Sequence, residues 1–332
     1  MNRPPEEFKR IAADQLQSFA AACARSAGLP EAHADQLAEL LTNSDLRGVR
    51  SHGTRALPGY CGSVRNRSVN PDPQFTILKE TANAVHIDGD GSLGYAPMML
   101  ATEMAIAKAR ETGVGIGAAC HIGHYGSAGH YVHRAMEEGC TAFSVQGACP
   151  QYYIDNKGKQ AAYYGNPPLS FGLPSQDEPP LVLDGATSIM ADYQRGEPFD
   201  ALQELIPAAF FKSMGYTGVG TALGGVFVGQ GNERAREVTK KWPSARMGGM
   251  IFVMDIALFV PAAEFRQGID ALVSGVRQDM VPVRGYDEAT LPGTIEHRKQ
   301  QEYRREGIPI ALDALEGLEK LGEESGIEPP WV

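Results

Sequence analysis

The residues best suited to acid–base chemistry lie in a glycine-rich turn at positions 44–60. There His52 stands between Ser51 and Gly53, outside any helical pattern, and imidazole is the side chain whose ordinary pKa permits proton transfer near neutral pH. A single loop histidine often has no chemical role. This one is surrounded by three arginines, Arg47, Arg50 and Arg55. The turn therefore favours a proton donor beside a site that binds an anion.

A second candidate is the carboxylate of Asp184, which follows the apolar run 181–183. Small and hydroxyl residues come directly after it, at positions 185–188. A strand that ends in aspartate and leads into such residues places one carboxylate and several N–H groups around a pocket. Asp184, Thr187 or Ser188 could equally be a plain helix N-cap that needs no ligand.

A histidine-rich segment, 120–130, follows a predicted strand and opens a predicted helix. Backbone N–H groups at such a place suit an anionic ligand. A metal site is the alternative, because two pairs of histidines have i, i+3 spacing: His121 with His124, and His130 with His133. Few carboxylates lie among them, so metal binding is the weaker interpretation.

Two segments further along the chain allow more than one interpretation. Lys212 is either a cation that faces a phosphate or carboxylate, or an ordinary surface lysine. Residues 218–224 have the spacing of a dinucleotide-binding glycine motif, but such a motif has meaning only directly after a strand. Residues 208–212 read as helix, so these glycines predict close helix packing instead.

Hydrophobic periodicity predicts the elements that position these residues. Helices are predicted at 6–27 and 30–46, before the turn. The elements predicted after the turn are strands at 75–78 and 84–87, a helix at 96–110, strands at 114–120 and 141–145 around a helix at 129–138, a strand at 248–256 and a helix through Val276. Alternation of this kind indicates a layered sheet with helices.

Composition limits the class of protein. A chain of 332 residues can bury a large core and is expected to form two closely connected domains. The net charge of −10 argues against nucleic acid and anionic membranes as partners. There is no apolar run of membrane-spanning length and no signal-peptide core at the start, and the five cysteines lack CxxC spacing. We expect reduced thiols in a cytoplasmic protein.

The segment 45–53 resembles the Asp-Leu-Arg-Gly-x-x-Ser-His-Gly signature of the malate/L-lactate dehydrogenase family that lacks a Rossmann fold. That family includes sulfolactate and ureidoglycolate dehydrogenases, diketogulonate reductase and cyclic-imine reductases. Later segments that resemble elements of the same family are 120–130, 164–174, 181–188, 212–216 and 291–297. The resemblance covers most of the chain.

The resemblance implies roles for individual residues. It implies that His52 is the proton donor and that Asp184 assists it. The substrate contacts that it implies are made by Ser51, Arg47, Arg55 and His124, with Arg55 the best candidate for the substrate carboxylate. The cofactor contacts that it implies are made by Asn166, Ala186, Thr187, Ser188, Lys212, Gly293 and Thr294. It implies no metal.

The chain departs from the family pattern at three places. Ala56 stands where the family usually has an arginine, four residues after the histidine, and Arg55 lies one place earlier. Asn166 and Pro167 stand where threonine and asparagine are usual. The segment 190–211 is shorter than in the family. Either Arg55 binds the substrate from a shifted backbone, or the substrate is different.

The fold that the resemblance implies is α/β of the α+β type. It is an atypical, non-Rossmann, mostly antiparallel sheet wrapped by helices, beside a discontinuous helical domain. The predicted helical domain comprises 1–72, 186–240 and 296–332, and the predicted sheet domain comprises 73–185 and 241–295.

The predicted function is hydride transfer between NAD or NADP and a small 2-oxo acid, 2-hydroxy acid or cyclic imino acid. We expect a homodimer that binds a small carboxylate as substrate. The three departures leave an alternative open, in which the fold is retained but nicotinamide chemistry is lost. Such a chain would be a non-redox acid–base enzyme or a small-molecule binding protein, and nucleotide binding distinguishes it from a dehydrogenase.

Overall fold

A computed structural model of the chain describes residues 4–148, 165–190 and 196–331. The strands within these ranges are β1 (Phe8–Ile11), β2 (Thr76–Glu80), β3 (Ala84–Asp88), β4 (Val114–Ile122), β5 (Cys140–Ala148), β6 (Pro168–Leu173), β7 (Leu181–Ala186), β8 (Met247–Asp255) and β9 (Ile308–Ala311). Strands β2 to β8 form a seven-stranded sheet, and β1 pairs with β9 in a separate two-stranded sheet.

The helices pack around these sheets. Those of the described residues are α1 (Ala13–Ser26), α2 (Glu31–Leu46), α3 (Leu57–Arg65), α4 (Tyr95–Thr112), α5 (Gly129–Glu137), α6 (Glu197–Leu205), α7 (Pro207–Thr221), α8 (Glu233–Lys241), α9 (Ala262–Asp279), α10 (Thr294–Glu306) and α11 (Leu312–Ser325). Short 3-10 turns cover Arg50–His52 and Thr54–Ala56, and a π-helical segment covers Ala222–Val226. In the part of the chain that the structure describes, no helix is long and apolar enough to span a bilayer.

The large sheet has the strand order β2-β3-β4-β8-β5-β6-β7. Its β3–β4 pair is parallel, and its other described pairs are antiparallel. The predicted fold class, a mostly antiparallel sheet with helices and no Rossmann order, is therefore confirmed. The main core lies where α1, α2 and α4 pack together with the inner strands of this sheet.

Glycines let the π-helical segment lie directly on the sheet. A Cβ atom added to Gly224 would lie 2.4 Å from the backbone nitrogen of Gly147 in β5. One added to Gly220 would lie 3.0 Å from Pro167. The glycines of 218–224 thus lie in α7 and in the π-helical segment that follows it. The prediction of close helix packing is confirmed for Gly220 and Gly224, which face the sheet.

The predicted helix at 6–27 is wrong in its first third. Residues 8–11 form β1, which pairs antiparallel with β9 from Phe8 opposite Ala311 to Ile11 opposite Ile308. The helix begins only at Ala13. The predicted strands at 75–78 and 84–87 and the predicted helix at 96–110 are confirmed within a few residues.

Two sequence predictions touch residues outside the described ranges. The segment 190–211, which is shorter than the family pattern, includes residues 191–195, which are not described, and α6 starts immediately after Gly196. Cys149 is also outside the described residues. The four described cysteines, Cys23, Cys61, Cys120 and Cys140, are free and buried.

Candidate active site

A cavity of about 820 Å³ opens between the turn at 50–52, the end of β7 and the start of α10. Its volume lies in the upper part of the range usual for small-molecule and cofactor sites. The sequence-predicted site residues that line it are Arg47, Ser51, His52, His124, Asn166, Asp184, Ala186 and Gly293. The fold therefore gathers most of the predicted residues at one place.

The turn that carries His52 is held by Asp45 at the end of α2. Its Oδ2 accepts hydrogen bonds from the backbone N–H of Thr54 at 2.8 Å and from the Thr54 hydroxyl at 2.6 Å. A Cβ atom at Gly53 would lie only 1.8 Å from Asp45 Oδ1, so no other residue fits there. Burial raises the pKa of Asp45 to about 6, against the opposing effect of Thr54. The sequence analysis gave Asp45 no role. Asp45 and Gly53 are the first and last residues of the family signature, and this constant spacing could have indicated that the two residues are in contact.

His52 is half-buried at the cavity wall. Its Nδ1 lies 2.9 Å from the Ser51 hydroxyl, and its ring stacks on that of His124 with centroids 5.6 Å apart. Burial lowers the pKa of His52, while the charge of Asp184 opposes this shift. The ring is therefore neutral near pH 7, when it can accept a proton from a hydroxyl group, and at lower pH it can donate one to a carbonyl oxygen.

Asp184 reaches the same cavity from β7. Its carboxylate accepts a hydrogen bond from the hydroxyl of Ser127, and Ser127 in turn accepts one from the N–H of Gly129 at 3.1 Å. Although the side chain is open to the cavity, withdrawal from bulk water raises its pKa, and Ser127 and Arg47 oppose the shift. Its hydrogen-bond partner is thus Ser127 and not His52, on which it acts through charge. Sequence reasoning gave Ser127 no role.

Arg47 is the buried cation of the site, with only 7% of its surface exposed. Its Nη2 lies 3.4 Å from His130 Nδ1. Burial lowers its pKa to about 10, with Asp184 opposing, so the guanidinium remains charged at neutral pH. Arg55 lies outside the cavity, on the solvent side of the turn, where its Nη2 is 2.9 Å from the carboxylate of Asp313.

The residues predicted near the cofactor fall into two groups. The first group, Asn166, Thr187 and Ser188, makes hydrogen bonds that stabilise the turn after β7. Asn166 Oδ1 accepts the N–H of Ser188 at 2.8 Å, and Pro167 O accepts the N–H of Thr187 at 3.1 Å. The buried hydroxyl of Thr187 lies 2.8 Å from that of Thr217. Thr187 and Ser188 therefore shape the turn without lining the cavity.

The second group lies at the start of α10. Gly293 has a φ of +97°, and a Cβ there would lie 2.6 Å from Pro180 O, so it packs tightly on the start of β7. The buried hydroxyl of Thr294 has no hydrogen-bond partner among the described residues. Lys212, in contrast, is exposed on α7 and does not line the cavity.

The cavity residues fit a nicotinamide dinucleotide. The N-terminus of α10 borders the cavity, and the positive dipole end of a helix suits a pyrophosphate. Apolar side chains from α9 and the following loop, Val276, Met280, Val281 and Val283, form another wall that suits flat rings. The cavity thus offers both acid–base groups and apolar side chains.

The histidines of 121–133 have separate partners. His121 Nδ1 lies 3.0 Å from Asp88, His124 bonds to Tyr60, and His130 contacts Arg47. Across residues 4–148, 165–190 and 196–331, no three His, Cys, Asp or Glu side chains are grouped as metal ligands.

Comparison with known proteins places this geometry in context. The family model described as Malate/L-lactate dehydrogenase matches residues 11–197 and 193–319. The chain is 27% identical to the malate dehydrogenase of Pyrococcus horikoshii, over 97% of each chain. It is 27% identical to the L-sulfolactate dehydrogenase of Methanocaldococcus jannaschii, over 97% of each, and 26% identical to the ureidoglycolate dehydrogenase (NAD(+)) of Escherichia coli O157:H7, over 88% of the chain and 90% of that protein.

The folds agree as well. The solved structure of the Pyrococcus horikoshii malate dehydrogenase superimposes with a TM-score of 0.84 at 25% identity, covering 98% of both chains. The match therefore covers nearly the full length of both chains.

Proposed function

The chain belongs to the malate/L-lactate dehydrogenase family, and from this premise we propose that it interconverts a small 2-oxo acid and its 2-hydroxy acid, or the cyclic imino equivalent. Membership makes it an NAD- or NADP-dependent dehydrogenase or reductase. The named relatives act on malate, sulfolactate and ureidoglycolate, all of which are small hydroxy acids.

One observation carries the proposal: a single cavity brings Arg47 and His52, which lie in one turn, together with Asp184 from a distant part of the chain. These are a titratable ring, a buried guanidinium and a carboxylate. A 2-oxo acid offers the matching groups, namely a carbonyl oxygen that needs a proton and a carboxylate that needs a cation.

Each residue has one task in this scheme. A nicotinamide bound in the cavity would supply or take the hydride. Arg47 holds the substrate carboxylate, because a desolvated guanidinium offers paired donors in a fixed plane. His52 gives a proton to the reacting oxygen during reduction and removes it during oxidation. Asp184 stabilises the protonated His52 through its charge.

Two binding and turnover experiments test the proposal together. We expect NADH or NADPH fluorescence to change on titration with the protein. With the preferred nucleotide, we expect turnover of small 2-oxo acids, and about 100-fold lower kcat/KM for the corresponding neutral amides. If neither nucleotide binds, the chain is a family member that has lost redox chemistry. If acids and amides react equally well, Arg47 does not bind the substrate charge.

A further inference from the structure

Ser127 connects Asp184 to the start of α5. It is buried, with 4% of its surface exposed, and it lies in the turn between β4 and α5. Its hydroxyl donates a hydrogen bond to Oδ2 of Asp184, and its oxygen accepts one from the backbone N–H of Gly129 at 3.1 Å. Ser127 and Asp184 both line the cavity, so this contact is part of the cavity wall.

The Gly129 amide fixes the direction of these two hydrogen bonds. A backbone N–H can only donate, so the Ser127 oxygen must accept. The single proton of the hydroxyl group is then directed to Asp184, which is held as an acceptor. A hydrogen bond to a carboxylate is stronger when the carboxylate is ionised, so Ser127 favours the charged form of Asp184.

The Asp184 carboxylate also lies against the first residue of α5. A Cβ atom added to Gly129 would lie 2.5 Å from Asp184 Oδ2, so only glycine permits this close approach. Helix α5 runs from Gly129 to Glu137, and the positive end of a helix dipole favours a negative charge beside it. The Ser127 hydroxyl and the helix start therefore stabilise the same charged form.

The basic groups near Asp184 act on it from a distance. Among the described residues, neither Arg47 nor His52 forms an ion pair with its carboxylate. Withdrawal from bulk water raises the pKa of Asp184, and Ser127 opposes this shift more than Arg47, His52 or the Gly129 amide does. The charge of Asp184 also contributes to the raised pKa of the Tyr125 phenol, which burial mainly causes. Ser127 is thus the main group that counteracts the desolvation of Asp184.

The charge on Asp184 matters to the reaction because it supports the protonated ring of His52. Burial lowers the pKa of His52, and the Asp184 carboxylate opposes that shift. This support is lost whenever Asp184 itself takes up a proton. A group that keeps Asp184 ionised therefore widens the pH range in which His52 can carry a proton.

Resting on the function proposed above, we propose that Ser127 is a positioning residue, which holds Asp184 as an oriented, ionised carboxylate beside His52. In this assignment Ser127 acts only through Asp184 and is not itself a catalytic residue.

Carbon-13 NMR of aspartate-labelled protein tests the assignment without measuring activity. Ser127→Ala removes the hydroxyl group and little else. With the Asp184 signal assigned from its loss in Asp184→Asn, the pKa of Asp184 should rise by about one unit in Ser127→Ala, because a hydrogen bond to a charged group is lost. An unchanged or lowered pKa in this variant would overturn the inference.

Ser92→Ala is the matched control. Ser92 is also 4% exposed, but its hydroxyl bonds to the backbone oxygen of Leu93, and it does not line the cavity. This variant should leave the pKa of Asp184 unchanged. A shift as large as that in Ser127→Ala would show that the loss of any buried hydroxyl has the same effect, and would contradict the assignment.

The pH profile of turnover separates positioning from a general structural role. In Ser127→Ala, the fall of kcat/KM for a 2-oxo acid with rising pH should move to lower pH, because a protonated Asp184 no longer supports His52. Lower activity with an unshifted profile would contradict the inference. Absence of any turnover in wild type refutes the proposed function instead, and the NMR titration then still decides whether Ser127 keeps Asp184 ionised.

Discussion

Burial distinguishes two of the three arginines around the proposed proton donor. Arg47 is 7% exposed and faces the cavity, while the side chain of Arg55 is 58% exposed and pairs with Asp313. An ion pair in water contributes little, because solvent screens both charges. A guanidinium withdrawn from water interacts far more strongly with a carboxylate that reaches it. Arg47 is therefore the better candidate for binding the substrate.

Matched substitutions test this assignment. Lysine keeps the charge but not the planar pair of donors, so Arg47→Lys should raise KM for a 2-oxo acid by about 10-fold or more. Arg55→Lys, which changes an exposed side chain, should alter KM less than about 3-fold. Steady-state kinetics on both variants gives the comparison. A larger effect at Arg55 would restore the role that the family resemblance gave it.

Residue patterns singled out His52 as the proposed proton donor but did not predict all of its surroundings. The Ser-His-Gly turn identified His52 from types and spacing alone. Spacing does not reveal whether Arg47 or Arg55 turns inward, because that depends on the 3-10 turns at 50–52 and 54–56. The contact between Tyr60 and His124 joins residues 64 positions apart, so no local pattern predicts it.

Elements whose partners are local were predicted well, and those whose partners are distant were not. Alternation of apolar residues predicted β2 and β3, which are neighbours in the chain and in the sheet. Residues 8–11 form a strand because β9, about 300 residues later, supplies backbone partners. A pattern of neighbouring residues cannot reveal so distant a partner. The predicted helix at 6–27 therefore starts too early and includes the residues of β1.

The glycines of the π-helical region offer a test of packing at this scale. A methyl group on Gly224 would collide with the backbone of β5, whereas one on Gly218 meets nothing within 4 Å. Gly224→Ala should lower the free energy of unfolding by about 2 kcal/mol. Gly218→Ala should leave it unchanged or raise it by up to about 1 kcal/mol, since alanine favours the helix. Denaturant unfolding measures both, and equal stabilities would contradict the packing.

At the scale of the whole molecule, the site exists only because the fold joins distant segments. The turn at 50–52, the end of β7 and the start of α10 meet at one cavity. Each segment alone could be read as an ordinary turn or helix cap. Their combination was accessible from sequence only through resemblance to a family, which the shared fold with the Pyrococcus horikoshii malate dehydrogenase supports.

The pH dependence of reduction, measured for wild type and His52→Gln, tests the central claim most directly. Burial lowers the pKa of His52 below its ordinary 6.5, and reduction needs the protonated ring. In wild type, kcat/KM for a 2-oxo acid should therefore fall as pH rises through this lowered pKa. His52→Gln should be about 100-fold slower at low pH and lack this decline, with nucleotide affinity unchanged. A variant with the wild-type rate and the wild-type pH profile would contradict the account.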